Sequence, residues 1–197
     1  MREWLAGTIS MSVVGVLMLP AGAAQDTPAS WLDRPLSNWN RPAATVPVAP
    51  ATEERIAAVI GRCKLQPPES TTAERAVKSA GWIPFWNVDQ QLVRDDVEIV
   101  GGMRAADGMC RPETYQLFVF VSGQFAGTLS PAPMNARQDA SSGVVRLAPP
   151  VINTEFARYG KTDPLCCPSS RVTVRYSIER GAEGPLVVPT EIRTTRG

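Results

Sequence analysis

The chain has 197 residues, 44% of them hydrophobic and 20% charged, with a formal net charge of +1; such a composition fits one folded domain with a tail. Its basic residues are dispersed and mostly arginine, without the concentrated patch of a nucleic-acid surface, so nucleic acid is not among the expected partners. The chain has no histidine, which removes Ser-His-Asp and Cys-His nucleophile systems, His-Glu-x-x-His zinc enzymes and c-type haem attachment.

The N-terminus reads MREWLAGTISMSVVGVLMLPAGAAQDTP. Arg2 supplies a positive start, Leu5 to Leu19 an apolar core, and Pro20 a stop before the small residues of AGAAQ. Residues 1–24 therefore read as a secretory signal peptide cleaved near Ala23 or Ala24. The rival reading is a retained anchor, but an apolar run of about 16 residues falls short of the roughly 20 needed to span. No stable membrane span is expected after cleavage, and the mature chain is expected to be exported, in the periplasm or cell envelope. No cysteine follows the small residues, so the pattern for a lipid-modified N-terminal Cys is not met.

Residues 25–52 carry repeated prolines (Pro28, Pro35, Pro42, Pro47, Pro50) and no helical or strand period, which reads as an extended tether. Trp31 and Trp39, with Leu32 and Leu36, break its polar character. They are expected to dock on the folded part, the alternative being a sticky segment for a partner or membrane surface.

Residues 53–197 read as a single α+β domain. A first helix is expected over TEERIAAVIGRCK, capped by Thr52, with Ile56, Ile60 and Cys63 on its inward stripe. A second fits STTAERAVKSAG. Thr71 and Glu74 form a capping box there, Gly81 is placed for the C-terminal turn, and Ala73, Ala76, Val77 and Ala80 make a small inner face. Beyond Gly81 the period becomes two. YQLFVFV, residues 115–121, is apolar on both faces and belongs in the centre of a sheet. Ser122-Gly123 signals a hairpin into QFAGTL. Further strands are expected at GVVRLA, VINTEFARY, RVTVRYSIE and LVVPTEIR, with Pro189 pushing the last towards an edge. Two helices packed on a mainly antiparallel sheet, stapled by disulfides, is the expected fold.

Four cysteines, Cys63, Cys110, Cys166 and Cys167, allow three pairings in an oxidising compartment. Adjacent residues in an extended segment project to opposite sides, and Pro168 favours extension at Cys167. Each of the neighbours is therefore expected to reach a distant partner, one Cys63 and the other Cys110, with the assignment open. A zinc site lacks the short Cys-x-x-Cys spacing, and a redox-active neighbouring pair lacks an evident activating group.

No Gly-x-Ser-x-Gly elbow, Ser-x-x-Lys nucleophile, P-loop or dinucleotide fingerprint is present. No catalytic residue, metal ligand or cofactor is assigned. Glu113 and Glu155 are the carboxylates closest to strands, each expected to be a solvated surface group. Asp89, Asp95, Asp96, Glu98 and Asp107 are expected on an exposed acidic face, since their spacing does not match a calcium loop. In GWIPFWN, Trp82, Phe85 and Trp86 surround Pro84; the cluster could line a groove but is expected to close the core.

Two blocks, YQLFVFVSGQFAGTLSPAPMNARQDASSGVVRL and EFARYGKTDPLCCPSSRVTVRYSI, resemble the LppP/LprE-type family of bacterial exported proteins. The resemblance runs over about residues 53–190 and implies a cell-envelope protein, in many members lipid-anchored, without an assigned activity. The expected role is a non-catalytic binding or interaction module for an envelope protein or small ligand, with Trp31, Trp39, Trp82, Phe85 and Trp86 as candidate contacts. The alternatives are a carboxylate-dependent hydrolase of envelope polysaccharide, needing two carboxylates across a cleft, and a carrier of an apolar molecule, needing a cavity between helices and sheet.

Overall fold

The structure, a computed structural model, describes residues 30–65, 71–85 and 92–196. The expected signal peptide, the first residues of the tether, Asp89 and Trp86 lie outside the described residues. A 3-10 turn at Trp31–Asp33 and two helices, α1 (Ile56–Cys63) and α2 (Thr72–Ser79), precede the strands. These are β1 (Ile83–Phe85), β2 (Val93–Arg94), β3 (Val97–Ala106), β4 (Pro112–Val121), β5 (Gln124–Thr128), β6 (Ser142–Ala148), β7 (Val151–Arg158), β8 (Ser170–Gly181) and β9 (Gly184–Arg196). The first sheet has the order β1-β3-β4-β5, with β2 also paired to β3, and the second the order β6-β7-β8-β9. All pairings are antiparallel. The α+β expectation holds, with two sheets where one was expected.

The helix α2 forms for the reasons its sequence gives. Thr71 Oγ1 accepts the Glu74 N–H at 3.1 Å, and Glu74 Oε2 accepts the Thr71 N–H at 2.8 Å; this is the reciprocal cap. Gly81 ends it at φ +89°. The small face lets α2 approach the outer side of the first sheet, where Ala73, Val77, Trp82, Val100, Phe118 and Phe120 make one core. Tyr115, Leu117, Val119 and Val121, on the other face of β4, join Phe156, Val174, Tyr176 and others in a second core between the sheets. A strand buried on both faces has no polar alternation, and β4 occupies the interior position that its sequence demands.

Helix α1 departs from expectation. It starts at Ile56 with Arg55, not Thr52, at the N-cap. Val59 is fully buried, Ile56 and Cys63 are half-buried, and Ile60 is 36% exposed. Its rotation is fixed from outside: Arg62 donates to Glu54, to Ala106 O at 2.9 Å and to Asp107 O at 2.7 Å. Beside it, Cys63 is bonded to Cys110. Both ties fasten the helix end to the turn after β3, which presents Val59 rather than Ile60 to the core.

The cysteine pairing expected from local extension is overturned. Cys63 bonds Cys110, with Cα atoms 5.5 Å apart, and Cys166 bonds its neighbour Cys167. The expectation assumed an extended backbone, but the Cys167 N–H donates to Pro164 O at 2.9 Å. The chain is therefore curled into a turn, and the two side chains are not held on opposite sides. The bond across 47 residues of separation contributes about 4 kcal/mol in the chain-entropy picture. Its counterpart has a sequence separation of 1 and closes almost no chain.

Residues 30–50 lie against the fold. Leu32 is buried, and Trp31 stacks edge-on against both Trp39 and Phe156, with centroids 5.3 and 5.1 Å apart. Asn40 Nδ2 donates to Thr128 O on β5 (3.1 Å) and to Val187 O on β9 (3.0 Å), and Asn40 Oδ1 accepts the Thr128 N–H at 2.8 Å. One side-chain amide thus bridges the edges of the two sheets as a strand would. Further on, Pro47 O accepts the Trp82 indole N–H at 2.7 Å. Pro189 sits in the edge strand β9, at an irregularity opposite Arg175 and Tyr176, where a missing donor costs least.

Candidate functional site

At one end of the sandwich the sheets leave a cleft of about 430 Å³. Phe85 from β1, Gly101 and Met103 from β3, and Tyr115 and Leu117 from β4 form one wall; Ser142 and Val145 from β6 form the other. Gly101 lets the Phe85 ring lie close over β3: a Cβ there would stand 2.9 Å from the ring and displace it. The Phe85 ring packs edge-on against Tyr115, with centroids 5.9 Å apart.

The loop between β5 and β6 closes the cleft and is fastened to β4. Met134 N–H donates to Tyr115 O at 2.7 Å, Tyr115 N–H to Met134 O at 2.9 Å, and Thr114 N–H to Asn135 Oδ1 at 2.7 Å. The Tyr115 hydroxyl accepts the Ser142 N–H at 2.8 Å, and burial pushes its pKa up, against the hydrogen bonds to Ser142. Around the cleft four non-glycine residues hold positive φ: Cys110 (61°), Thr114 (48°), Arg137 (62°) and Ala140 (61°). Left-handed backbone is costly at such residues and gathers where surrounding contacts over-determine it.

Among the described residues, the charged ones lining the cleft are Arg111 and Arg137. Asp107 holds Arg111, with Oδ2 2.6 Å from Nε. Backbone N–H groups of Arg111 and Met109, together with that guanidinium, depress the Asp107 pKa. Arg137 is exposed and has no partner among the described residues. It also lines a second, shallower groove of about 730 Å³, which runs past Trp31, Asp139 and Tyr159 to Leu165.

The sequence-nominated residues divide. Trp82 is buried in the core under α2, and Trp31 and Trp39 are half-buried in packing against the sheets, although Trp31 also reaches the second groove. Phe85 lines the cleft, and Trp86 is outside the described residues. The four cysteines fall in separate places: Cys110 lines the cleft, Cys63 abuts the core, and Cys166 and Cys167 are exposed on the β7–β8 loop. The acidic residues do not form one face. Asp96 precedes β3 and binds Arg180 and Ser122, Asp107 follows β3, and Glu98 accepts from Thr71. Glu155 pairs with Arg146 at 2.5 Å, away from the cleft, and Glu113 lies opposite Ala105 on β3. Neither lines the cleft.

Among the described residues, no three His, Cys, Asp or Glu side chains converge on a metal position, and no helix is long and apolar enough to cross a membrane. Between α2 and the sheet, where the carrier reading placed a cavity, Val77, Trp82 and Phe118 fill the space. Arg137, Ser142 and the Tyr115 hydroxyl were not nominated from the sequence. They meet only through the fold, and no local pattern marks them.

This arrangement defines a two-sheet α+β scaffold with an apolar cleft and a cationic mouth. Residues 96–181 match the family model described as LppP/LprE lipoprotein, the family that the two quoted blocks resemble. The match runs from just before β3 through the end of β8 and includes most of the cleft. The matched segment is less than half of the chain. No curated protein and no solved structure matches the chain.

Proposed function

We propose that the chain is a non-catalytic binding module of the cell envelope, and that its site is the cleft between the sheets. The ligand has an apolar body and an anionic end. One observation carries the reading: a cavity of about 430 Å³ with largely apolar walls is lined, among the described residues, by two arginines and no carboxylate. Such a volume suits a small molecule, and few convergent polar groups fix its orientation. Arg137 is the cation left over for the ligand, since Asp107 already occupies Arg111.

The hydrolase alternative finds less support. Among the described residues the three carboxylates whose pKa moves, Asp96, Asp107 and Asp163, all move down, whereas a general acid working near neutral pH needs the opposite shift. Asp33 and Asp139 approach each other only through Arg158, which binds both.

Calorimetric titration with decyl phosphate tests the proposal. Saturable binding is expected, weakened about tenfold by Arg137→Ala, the equivalent of one lost charge-assisted contact. Absence of binding to the wild-type protein, or equal affinity in the variant, refutes the assignment.

A further inference from the structure

We propose that Cys166–Cys167 is a thiol–disulfide exchange site, the substrate of an exported dithiol reductant, while Cys63–Cys110 is the structural bond. The inference is independent of the cleft reading. It rests on a contrast between two bonds in one molecule. Cys63 packs against the core, Cys110 lines the cleft, and their bond joins a helix to a strand turn across 47 residues of separation. Cys166 and Cys167 are both exposed, and their bond joins neighbours. A cross-link between neighbours ties together no distant parts of the fold, so its presence calls for a reason other than holding elements in place.

The surrounding loop is built to let such a bond open without disturbing the sheet. Its base is pinned by Asp163, whose Oδ2 accepts the Gly160 and Ser169 N–H groups, both at 2.7 Å. The ladder between β7 and β8 closes at Arg158 and Ser170, outside that pin. The tip is held by less: Tyr159 Oη donates to Leu165 O at 3.1 Å, and the Cys167 N–H to Pro164 O. Leu165 beside the pair is 66% exposed and forms part of the second groove. The bond therefore bears on the shape of that groove's wall and on little else.

As the electrophile, this chain needs no activating group of its own, because the attacking thiolate belongs to the reductant. That thiolate attacks one of the two sulfurs; a bond between the proteins forms as the Cys166–Cys167 bond breaks, and the departing thiolate takes up a proton. The reductant's second thiolate then attacks its own sulfur in the mixed disulfide. The other cysteine is released and protonated, so two electrons and two protons have passed to this chain and the dithiol has become a disulfide.

The test treats the native protein with graded dithiothreitol, alkylates with iodoacetamide and maps the peptides by mass. Hydrogen exchange is followed on the partly reduced protein. Cys166 and Cys167 are expected to be alkylated at a reductant concentration at least tenfold below that which opens Cys63–Cys110, with faster exchange confined to residues 159–169. The Cys166→Ser/Cys167→Ser variant is expected to fold and to show the same local exchange. Reduction of both bonds together, prior reduction of Cys63–Cys110, a different native connectivity, or unchanged exchange in the loop would each overturn the proposal.

Discussion

Asn40 occupies the space above Gly127: a Cβ on that glycine, which sits at φ +140°, would stand 2.6 Å from Asn40 Oδ1. The contact joins the N-terminal strap to an edge strand and makes both residue types obligatory. Asn40→Ala is expected to leave Thr128 N–H and Val187 O without their Asn40 partner, while Thr128 O keeps the Trp39 indole N–H, and to destabilise the fold by about 2–4 kcal/mol. Gly127→Ala should cost at least as much, because the new methyl displaces the amide. Urea unfolding of the two variants measures both, and a loss under about 0.5 kcal/mol in each would show that the strap is not integral.

Trp31 and Trp39 separate a packing role from a ligand role. Replacement of Trp39 by Ala removes a ring beside Tyr176 (centroids 6.3 Å apart) and a donor to Thr128 O, and should cost about 3–5 kcal/mol. Trp31→Ala should fall in the lower part of that range, since it removes ring packing against Trp39 and Phe156 without the indole hydrogen bonds that Trp39 makes to Thr128. Thermal unfolding with decyl phosphate absent and present is the check. A fall in affinity without a fall in stability would return these residues to the ligand site.

The cap of α2 predicts a smaller effect. Thr71→Ala loses the bond to the Glu74 N–H and a second, at 2.7 Å, to Glu98 Oε1. A loss of about 1–2 kcal/mol is expected, with Thr71→Ser close to wild type, in denaturant unfolding.

Stability should fall on both sides of neutrality. Asp96 is held below its ordinary pKa mainly by hydrogen bonds from Arg180 and Ser122, Asp107 chiefly by backbone N–H groups, and Asp163 by the N–H groups of Gly160 and Ser169. A folded pKa below the unfolded value gives stability that is present above the unfolded pKa, about 4, and lost as pH falls through the folded one. Asp163→Asn should flatten that acid limb in part. At the alkaline end, burial raises the pKa of Tyr176 well above normal. Its contribution is complete below the unfolded value of about 10 and is lost as pH rises beyond it. Melting temperature against pH should therefore drop at both extremes; a profile flat from pH 2 to 5 (roughly the carboxylate window) would contradict the acid half.

Local chemistry was legible wherever a residue's neighbours in sequence are also its neighbours in space. The Thr71–Glu74 box, the Gly81 stop, the Ser122-Gly123 hairpin and the two-faced β4 all follow from spacing alone. The rotation of α1 was not legible, because Arg62 and Cys63 take their partners from the turn after β3. The cysteine pairing failed for a related reason: a turn closed by Pro164 O and Cys167 N–H replaced the assumed extension. In the cleft, Phe85, Cys110 and the β4 residues Tyr115 and Leu117 carried a sequence signal. Arg137 lies in a loop, and Ser142 at the start of β6 just after it; the loop's place is set by Met134 and Asn135 against β4, a long-range relation that periodicity does not encode.

The seam between β5 and β9 limits what the shared segment can do alone. Residues 96–181 supply β3 through β8 but neither β9 nor Asn40. Excised at those limits, β8 would lose the strand it pairs along nearly its whole length, and β5 the amide that seals it. β3 would lose β1 and β2 as well, so three strands would be open to other chains. Trimming this protein to its recognisable part should thus give a sticky, self-associating fragment, because the less recognisable flanks cover these edges.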